Sequence, residues 1–364
     1  MTQVDRRRVL AYRAAAQQLH RPSGRAADLA VAGLGVQDTP YGSARLALAA
    51  RGVAPDDDRL ELVWSMRGAP HLHRRAELPA LAAAVWPLSD ADATRRIGSG
   101  QIRAGARSGL AAFAATVEAF AEVVTAPMPK GEVSRAVSDR VPAQLTYDCG
   151  PCAARHISGS LFQQAGLAGG VHLVVSGRAT TLAPLAGWSG RPAAADPADL
   201  VRTYLRLLGP ATPADVAGFL GTSAGELRAV WPAELAEVRV DGRRAWLAPE
   251  DLPALASAEP LAGVRLLPPG DPFLAARDRA VLVPGKAHQA QLWRIIGNPG
   301  ALLVDGDVAG TWRARQAGRT AVEITVRPFA GGLPARVRRE LDAEAGLVAR
   351  ARGLGEARVR VETG

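Results

Sequence analysis

Asp196-Pro197-Ala198-Asp199-Leu200-Val201-Arg202-Thr203-Tyr204-Leu205-Arg206-Leu207-Leu208-Gly209-Pro210-Ala211-Thr212-Pro213-Ala214-Asp215 opens the stretch that decides the fold, and residues 216–248 complete it. Asp196 is placed to cap an apolar-periodic helix that runs to Leu208, where Gly209-Pro210 stops it. Thr212 followed by Pro213 restarts a helix, with threonine at the cap and proline in the first turn. That helix ends at Gly221, and Thr222 or Ser223 caps a third over roughly 224–231, before Pro232. Residues 235–240 and 243–247 then flank Asp241-Gly242, the strongest short-range signal for a two-residue hairpin. Three short helices followed by a hairpin make a winged helix, with the second and third helices as the helix-turn-helix and the hairpin as the wing. In DNA-binding versions the third helix enters the major groove.

The same order recurs twice upstream. Residues 108–124 read as a long alanine-rich helix broken by Pro127-Met128-Pro129. A short helix over 130–137, a third over 156–165 and a hairpin over 171–181 follow it. At the start, helices are expected over 5–19, 26–33 and 43–50. A wing over 60–64 and 70–73 is joined by Met66-Arg67-Gly68. Residues 264–267, 280–283 and 301–304 read as short apolar strands, Asp305-Gly306 turns a hairpin into 308–312, and 319–327 alternates as a strand. A mixed-charge helix over 333–351 closes the chain. The expected class is α+β: tandem winged-helix domains and a C-terminal β-rich, barrel-like element. The domains fall at 1–100, 101–190, 191–260 and 261–364.

The formal net charge is +9, and lysine occurs only at positions 130 and 286, so arginine supplies nearly all the positive charge. The planar guanidinium fork suits phosphate, and an excess of it attracts polyanions. A GC-rich genome also enriches arginine, so charge alone favours nucleic acid only modestly. No apolar run approaches the ~20 residues that span a bilayer, and no apolar signal core follows Arg6-Arg7-Arg8. A cytoplasmic, monomeric protein without membrane contact is the expectation. Its expected partner is double-stranded DNA.

Two cysteines, in Cys149-Gly150-Pro151-Cys152, exclude a disulfide scaffold. The spacing suits a redox pair, half of a metal site with His156 as a third ligand, or two small residues in a loop. Pro142 and a polar stretch precede the motif, which fits a thioredoxin-like strand poorly, and no fourth ligand is evident. Cys149, Cys152 and His156 are therefore candidate ligands only, and no cofactor is expected.

Several segments together resemble the winged-helix DNA glycosylase (AlkZ-like) superfamily of bacteria. They are residues 33–40, Trp64 to Leu72, Cys149 to Cys152 with His156, Gly209 to Asp215, Asp271 to Arg279, residues 297–300, Val304 to Gly306 and Gly310-Thr311-Trp312. The resemblance implies tandem winged helices around a concave face. It also implies hydrolysis of the N-glycosidic bond of alkylated purines, some relatives unhooking interstrand crosslinks. An N7-alkylated guanine is already a good cationic leaving group. Such an enzyme has to position a water against the sugar and stabilise oxocarbenium-like charge. The family's catalytic motif is Gln-x-Gln or Gln-x-Asp, and this sequence departs from it. In the register of the following Asp and Pro, Gly35 replaces the first glutamine and Gln37 remains; a shifted register gives Gln37-Asp38-Thr39.

Gln37 and Asp38 are the candidate catalytic residues, Gln37 to orient water and Asp38 as general base or electrostatic stabiliser, or else as a local turn cap. Arg45 and Arg51 lie on the expected recognition helix. Arg67, His71 and His73 lie on the first wing, and Arg243 and Arg244 on the third; all seven are candidate DNA contacts. Trp246 and Trp312 read as core, and Asp278 as an ion-pair partner of its neighbours Arg277 and Arg279. Three functions compete: a DNA glycosylase, a DNA-binding protein without chemistry such as a lesion sensor or regulator, and a protein-interaction scaffold.

Overall fold

The computed structural model describes residues 2–177, 179–190 and 196–362. They form two compact units. The first comprises Met1–Asp58, Arg202–Asp215 and Ala233–Gly364, and the second Arg59–Val201 and Val216–Pro232. The fold mixes helices with several small sheets, and among the described residues no helix is long and apolar enough to cross a membrane. The expected domain boundary at 190/191 touches residues outside the described ones.

In the first unit a five-stranded sheet runs in sequence order through Val264–Leu267, Gly300–Val304, Asp307–Ala317, Ala321–Pro328 and Glu356–Val361. The last pair is parallel, so the chain has to cross over between them, and the helix Ala335–Ala351 makes that crossing. Strand Ala321–Pro328 alternates as a half-buried strand should: Val322, Ile324 and Val326 are buried while Glu323 and Thr325 are not. These side chains meet Val337, Leu341, Ala345 and Val348 of the crossing helix, and Leu46 and Ala49 of the helix Ser43–Ala50. Trp312 is a core residue whose indole N–H donates to the Leu267 carbonyl (2.8 Å). Gly300 permits this, because a Cβ there would lie 2.3 Å from the indole nitrogen.

A second core in the same unit covers the hairpin Ala236–Val240/Arg243–Leu247, which turns at Asp241-Gly242 with both residues at positive φ. Strand Thr2–Val4 adds to this hairpin in parallel, and the helix Arg6–Ala16 packs over it. Neither that strand nor Glu356–Val361 is evident in the sequence. Residues 279–282 form a short helix rather than the expected strand. Asp278 pairs with Arg13 (2.6 Å), not with its sequence neighbours.

The helices expected over 197–231 are present as Pro197–Leu208, Pro213–Leu220 and Ala224–Leu227, the last continued by a 3-10 turn. Their caps follow the sequence logic. The Thr212 hydroxyl accepts from the Asp215 N–H (3.2 Å) while Asp215 accepts from the Thr212 N–H (2.9 Å), a reciprocal box. Ser223 accepts from the Glu226 N–H (3.2 Å).

The second unit is built around the helix Gly109–Val123. Phe120 meets Phe162 at 4.8 Å between ring centroids, and Phe162 meets Trp64 edge-on at 5.5 Å. The first hairpin spans Leu60–Trp64 and Pro70–Arg74, and a second spans Val171–Ser176 and Ala179–Pro184. The helix expected over 156–165 begins only at Gly159, because residues 154–157 form a strand paired with Thr146–Cys149.

Helix Ser43–Ala50 has the expected length but not the expected exposure. Every residue of it except Arg45 is buried, so it is a core helix and cannot lie in a DNA groove. Its C-cap residue, Arg51, explains why. Both Arg51 and Asp271 are fully buried and form a bidentate pair at 2.9 and 3.1 Å. Removing one partner of such a pair strands a buried charge and costs about 3–5 kcal/mol, whereas replacing both with apolar groups is far milder. We expect Asp271→Ala to lower the unfolding free energy of the full chain by about 3–5 kcal/mol in urea denaturation, and Arg51→Met/Asp271→Leu to lose much less. A single-mutant loss below about 1 kcal/mol would mean the pair is not structural.

Candidate functional site

Strand Val36–Gln37 leads into a tight turn before helix Ser43–Ala50. The Asp38 carboxylate accepts from the Ala44 N–H (2.9 Å) and from the Gly42 N–H. The Ser43 N–H and hydroxyl both reach the Pro40 carbonyl. Burial pushes the Asp38 pKa up, and the backbone donors oppose that shift. With its oxygens committed to the helix start, Asp38 serves as the cap and holds the turn. Gln37 is the half-exposed member of the pair. Its side chain passes Gly270, where a Cβ would lie 3.6 Å from the Gln37 Cδ and 3.0 Å from the Thr39 carbonyl oxygen. Gly270 also stands at φ +79°, which favours glycine.

Beneath this turn Arg51 spends every donor inside the protein. Nε donates to the Gln17 carbonyl, Nη1 to the Ala47 carbonyl and to Asp271, and Nη2 to the Gln17 Oε1 and to Asp271. The expectation of a DNA contact at Arg51 is therefore corrected: it is the support of the turn. Arg45 is half-exposed but chelated by Asp56, with Nη2 at 3.0 Å, so phosphate would have to compete with that carboxylate.

Sequence reasoning missed an open groove that begins at Pro40, Tyr41 and Ser43 and runs over the five-stranded sheet. Arg313, Arg315, Arg352 and Arg360 line it against a single carboxylate, Glu323. Arg315 pairs with Glu323 (2.9 Å) and Arg360 with Glu362 (3.0 Å). Arg352 has no ion-pair partner among the described residues. Tyr41 stands 60% exposed at the rim. No periodic pattern marks these arginines as a group, because they come from two strands and a helix end far apart in sequence.

In the second unit the first-wing candidates turn inward. Arg67 folds over the Phe219 ring, 5.3 Å from its centroid, and donates to the Phe219 carbonyl. His71 and His73 are 2% and 1% exposed, which rules out groove contact for both. They do share a strand face, and that face is the core side. His71 Nδ1 must donate to the Ala69 carbonyl (2.9 Å), because a carbonyl only accepts. Ser65 Oγ lies 3.0 Å from both His71 Nδ1 and His73 Nε2, bridging the two rings. Burial depresses both pKa values, that of His71 to about 3. On the third wing Arg243 and Arg244 are exposed. Arg244 pairs with Glu237 (2.6 Å) and covers the half-buried Trp246, whereas Arg243 makes no ion pair among the described residues. The candidate metal ligands are brought together: the ligating atoms of Cys149, Cys152 and His156 lie within 4.8 Å of one another.

A buried anchor, a capped turn carrying one half-exposed amide and an arginine-lined groove beside it make up the candidate site. The chain belongs to the DNA glycosylase AlkZ-like family, whose sequence profile matches residues 31–351. It is 33% identical over 174 residues to the interstrand DNA cross-link repair glycosylase of Streptomyces sahachiroi. That stretch is 44% of this chain and 44% of the relative, so the match spans less than half of the relative's length. The solved structure of Streptomyces sahachiroi DNA glycosylase AlkZ has the same fold, with a TM-score of 0.76 at 24% identity and all of both chains covered.

A neutral histidine buried in the native state takes up its proton only on unfolding. The unfolded chain then binds more protons between pH 6.5, the ordinary histidine value, and about 3. Stability therefore falls as pH drops through that window, by up to about 1.4 kcal/mol per pH unit for each such histidine. We expect His71→Asn, which keeps a donor near the Nδ1 position, to flatten the dependence of unfolding free energy on pH between 6.5 and 5 relative to the parent chain. An unchanged slope would show that His71 is protonated in the folded protein.

Proposed function

We propose that this protein is a DNA glycosylase that hydrolyses the N-glycosidic bond of alkylated purines, N7-substituted or crosslinked, in double-stranded DNA, using a positioned water. The observation that carries the reading is Gln37: the surviving amide of the family's water-positioning motif, half-exposed on a turn locked by Asp38 and seated beside Gly270. An amide can accept from water and direct its lone pair at once. The leaving group is already activated by its positive charge, so little acid–base help is required. Family membership and the likeness to the cross-link repair glycosylase support the same assignment. We further propose that the helix-and-hairpin segments are tandem winged helices within the four-part organisation expected from the sequence. The monomeric state expected from the sequence is part of the same reading.

DNA contact in this proposal shifts from the recognition helix expected in the first module to the arginine groove. Arg313 and Arg352 hold phosphate near Gln37, Tyr41 offers a stacking face at the rim, and Arg243 meets backbone from the third wing. Asp38 acts here through the turn and not as a general base. A second reading, a binder without chemistry, draws on one observation. Gly35 stands where the motif has its first glutamine, at φ +93° and ψ 139°, a conformation open essentially to glycine.

Incubating excess protein with N7-methylated and with crosslinked duplex and measuring free modified base separates the two readings. We expect release without added metal, and a loss on the order of 10²-fold for Gln37→Ala under single-turnover conditions. Tight duplex binding with no base released would favour the second reading. We also expect Arg352→Ala to weaken duplex binding and to reduce the slope of log K against log salt by about 1, as loss of one phosphate contact should. An unaltered slope would place the DNA path elsewhere.

A further inference from the structure

We propose that Cys149, Cys152 and His156 bind a thiophilic divalent cation, Zn²⁺ foremost, that fastens the hairpin Thr146–Cys149/Ala154–Ile157. The chain's entire complement of two cysteines converges with one histidine at the turn end of this hairpin, with all three ligating atoms within 4.8 Å. Tetrahedral zinc, with Zn–S near 2.3 Å and Zn–N near 2.0–2.1 Å, sets its donors about 3.5–3.8 Å apart. Small side-chain rotations close the difference.

The surroundings are those of a ligand set and not of three residues in passing. Strand register places Cys149 opposite Ala154, and His156 lies two residues beyond, so the thiol and the imidazole share one face of the hairpin. His156 Nδ1 donates to the Ile157 carbonyl (3.1 Å), which fixes the tautomer and leaves the Nε2 lone pair free of that bond. Metal-bound histidines are held in this way. Tyr147 packs edge-on against the same ring, with centroids 4.8 Å apart, and steadies its plane. The Cys152 backbone N–H points at the Cys149 sulfur, which holds the two thiols on one side of the turn. Cys152 is exposed and the other two are half-exposed, so an ion can enter, and water completes the fourth position.

Two thiolates with an imidazole select zinc over the hard cations magnesium and calcium. Among the described residues the hairpin pairs with no third strand, and a two-stranded ribbon alone is marginal. Metal binding would add its free energy to folding at this point, with release of the two thiol protons to solvent.

The test uses the full chain, purified reduced, stripped with a chelator and titrated with Co²⁺ and then Zn²⁺. We expect about one Co²⁺ per chain, a thiolate-to-metal charge-transfer band in the near ultraviolet that Zn²⁺ abolishes, and thiols that Zn²⁺ protects from alkylation. Cys152→Ser, at an exposed position where folding is not at risk, should lose the stoichiometric site. His156→Ala should keep the band but weaken binding at least about tenfold. A missing charge-transfer band would overturn the proposal. So would thiols alkylated equally fast with and without Zn²⁺, or a Cys149–Cys152 disulfide that forms at saturating Zn²⁺.

Discussion

The buried pair of Arg51 and Asp271 is the constraint on which the candidate site rests. A guanidinium in the interior is tolerable only if all five donors find acceptors, and here they do, on Gln17, Ala47 and Asp271. One side chain thereby ties the end of the first helix, the helix Ser43–Ala50 and the loop that begins at Pro268. Asp271 also accepts from the Phe273 N–H (2.9 Å). That loop supplies Gly270, and the helix supplies the N–H groups that Asp38 caps. Gln37 is thus fixed from both sides by elements that a single ion pair joins. A water-positioning amide needs such rigidity more than it needs strong chemistry.

The same pair changes how the basic composition should be read. Arg13, Arg51, Arg67 and Arg96 carry formal charge, but each is spent on internal partners: Asp278, Asp271, the Phe219 carbonyl and Asp92 respectively. Arg21 similarly meets the buried Glu344. An arginine paired with a carboxylate adds nothing to the net +9, so that excess resides on the arginines that no carboxylate neutralises. In the first unit it concentrates where four arginines face one glutamate. Arg315 and Arg360 are paired there, whereas Arg313 and Arg352 make no ion pair among the described residues, and positive charge gathered at one place does more to orient a duplex than a uniform excess would.

Local rules were legible in the sequence wherever local physics decides. Thr212 with Asp215, Ser223 with Glu226, and the Asp241-Gly242 turn all form as their residue types dictate. The alternation over 319–327 gave the strand Ala321–Pro328 for the same reason. What failed was exposure. Periodicity gave the helix Ser43–Ala50 its correct length, but an alanine- and leucine-rich helix has no polar face to reveal which side meets water, and here nearly every side is covered. His71 and His73 share a strand face as expected. Which face meets the core is set by tertiary packing, which no two-residue alternation encodes. The strands Thr2–Val4 and Glu356–Val361 are added to sheets formed by residues far away, so no turn or neighbouring strand announced them.

The departed motif also has a backbone meaning that the letters alone do not carry. Gly35 is the C-cap of the helix Val31–Leu34 and adopts φ +93°, where a glutamine would be strained by about 1–3 kcal/mol. In the register proposed above, a glutamine at position 35 would therefore strain the chain path into the turn. Under the proposed activity, one amide must then do the orienting that two share in the family motif. The structure is consistent with that economy in one respect. Asp38, the nearest carboxylate, gives both its charge and its geometry to holding the turn, so the reaction would draw on a rigidly held water and a leaving group already bearing positive charge, with no general base in the first step.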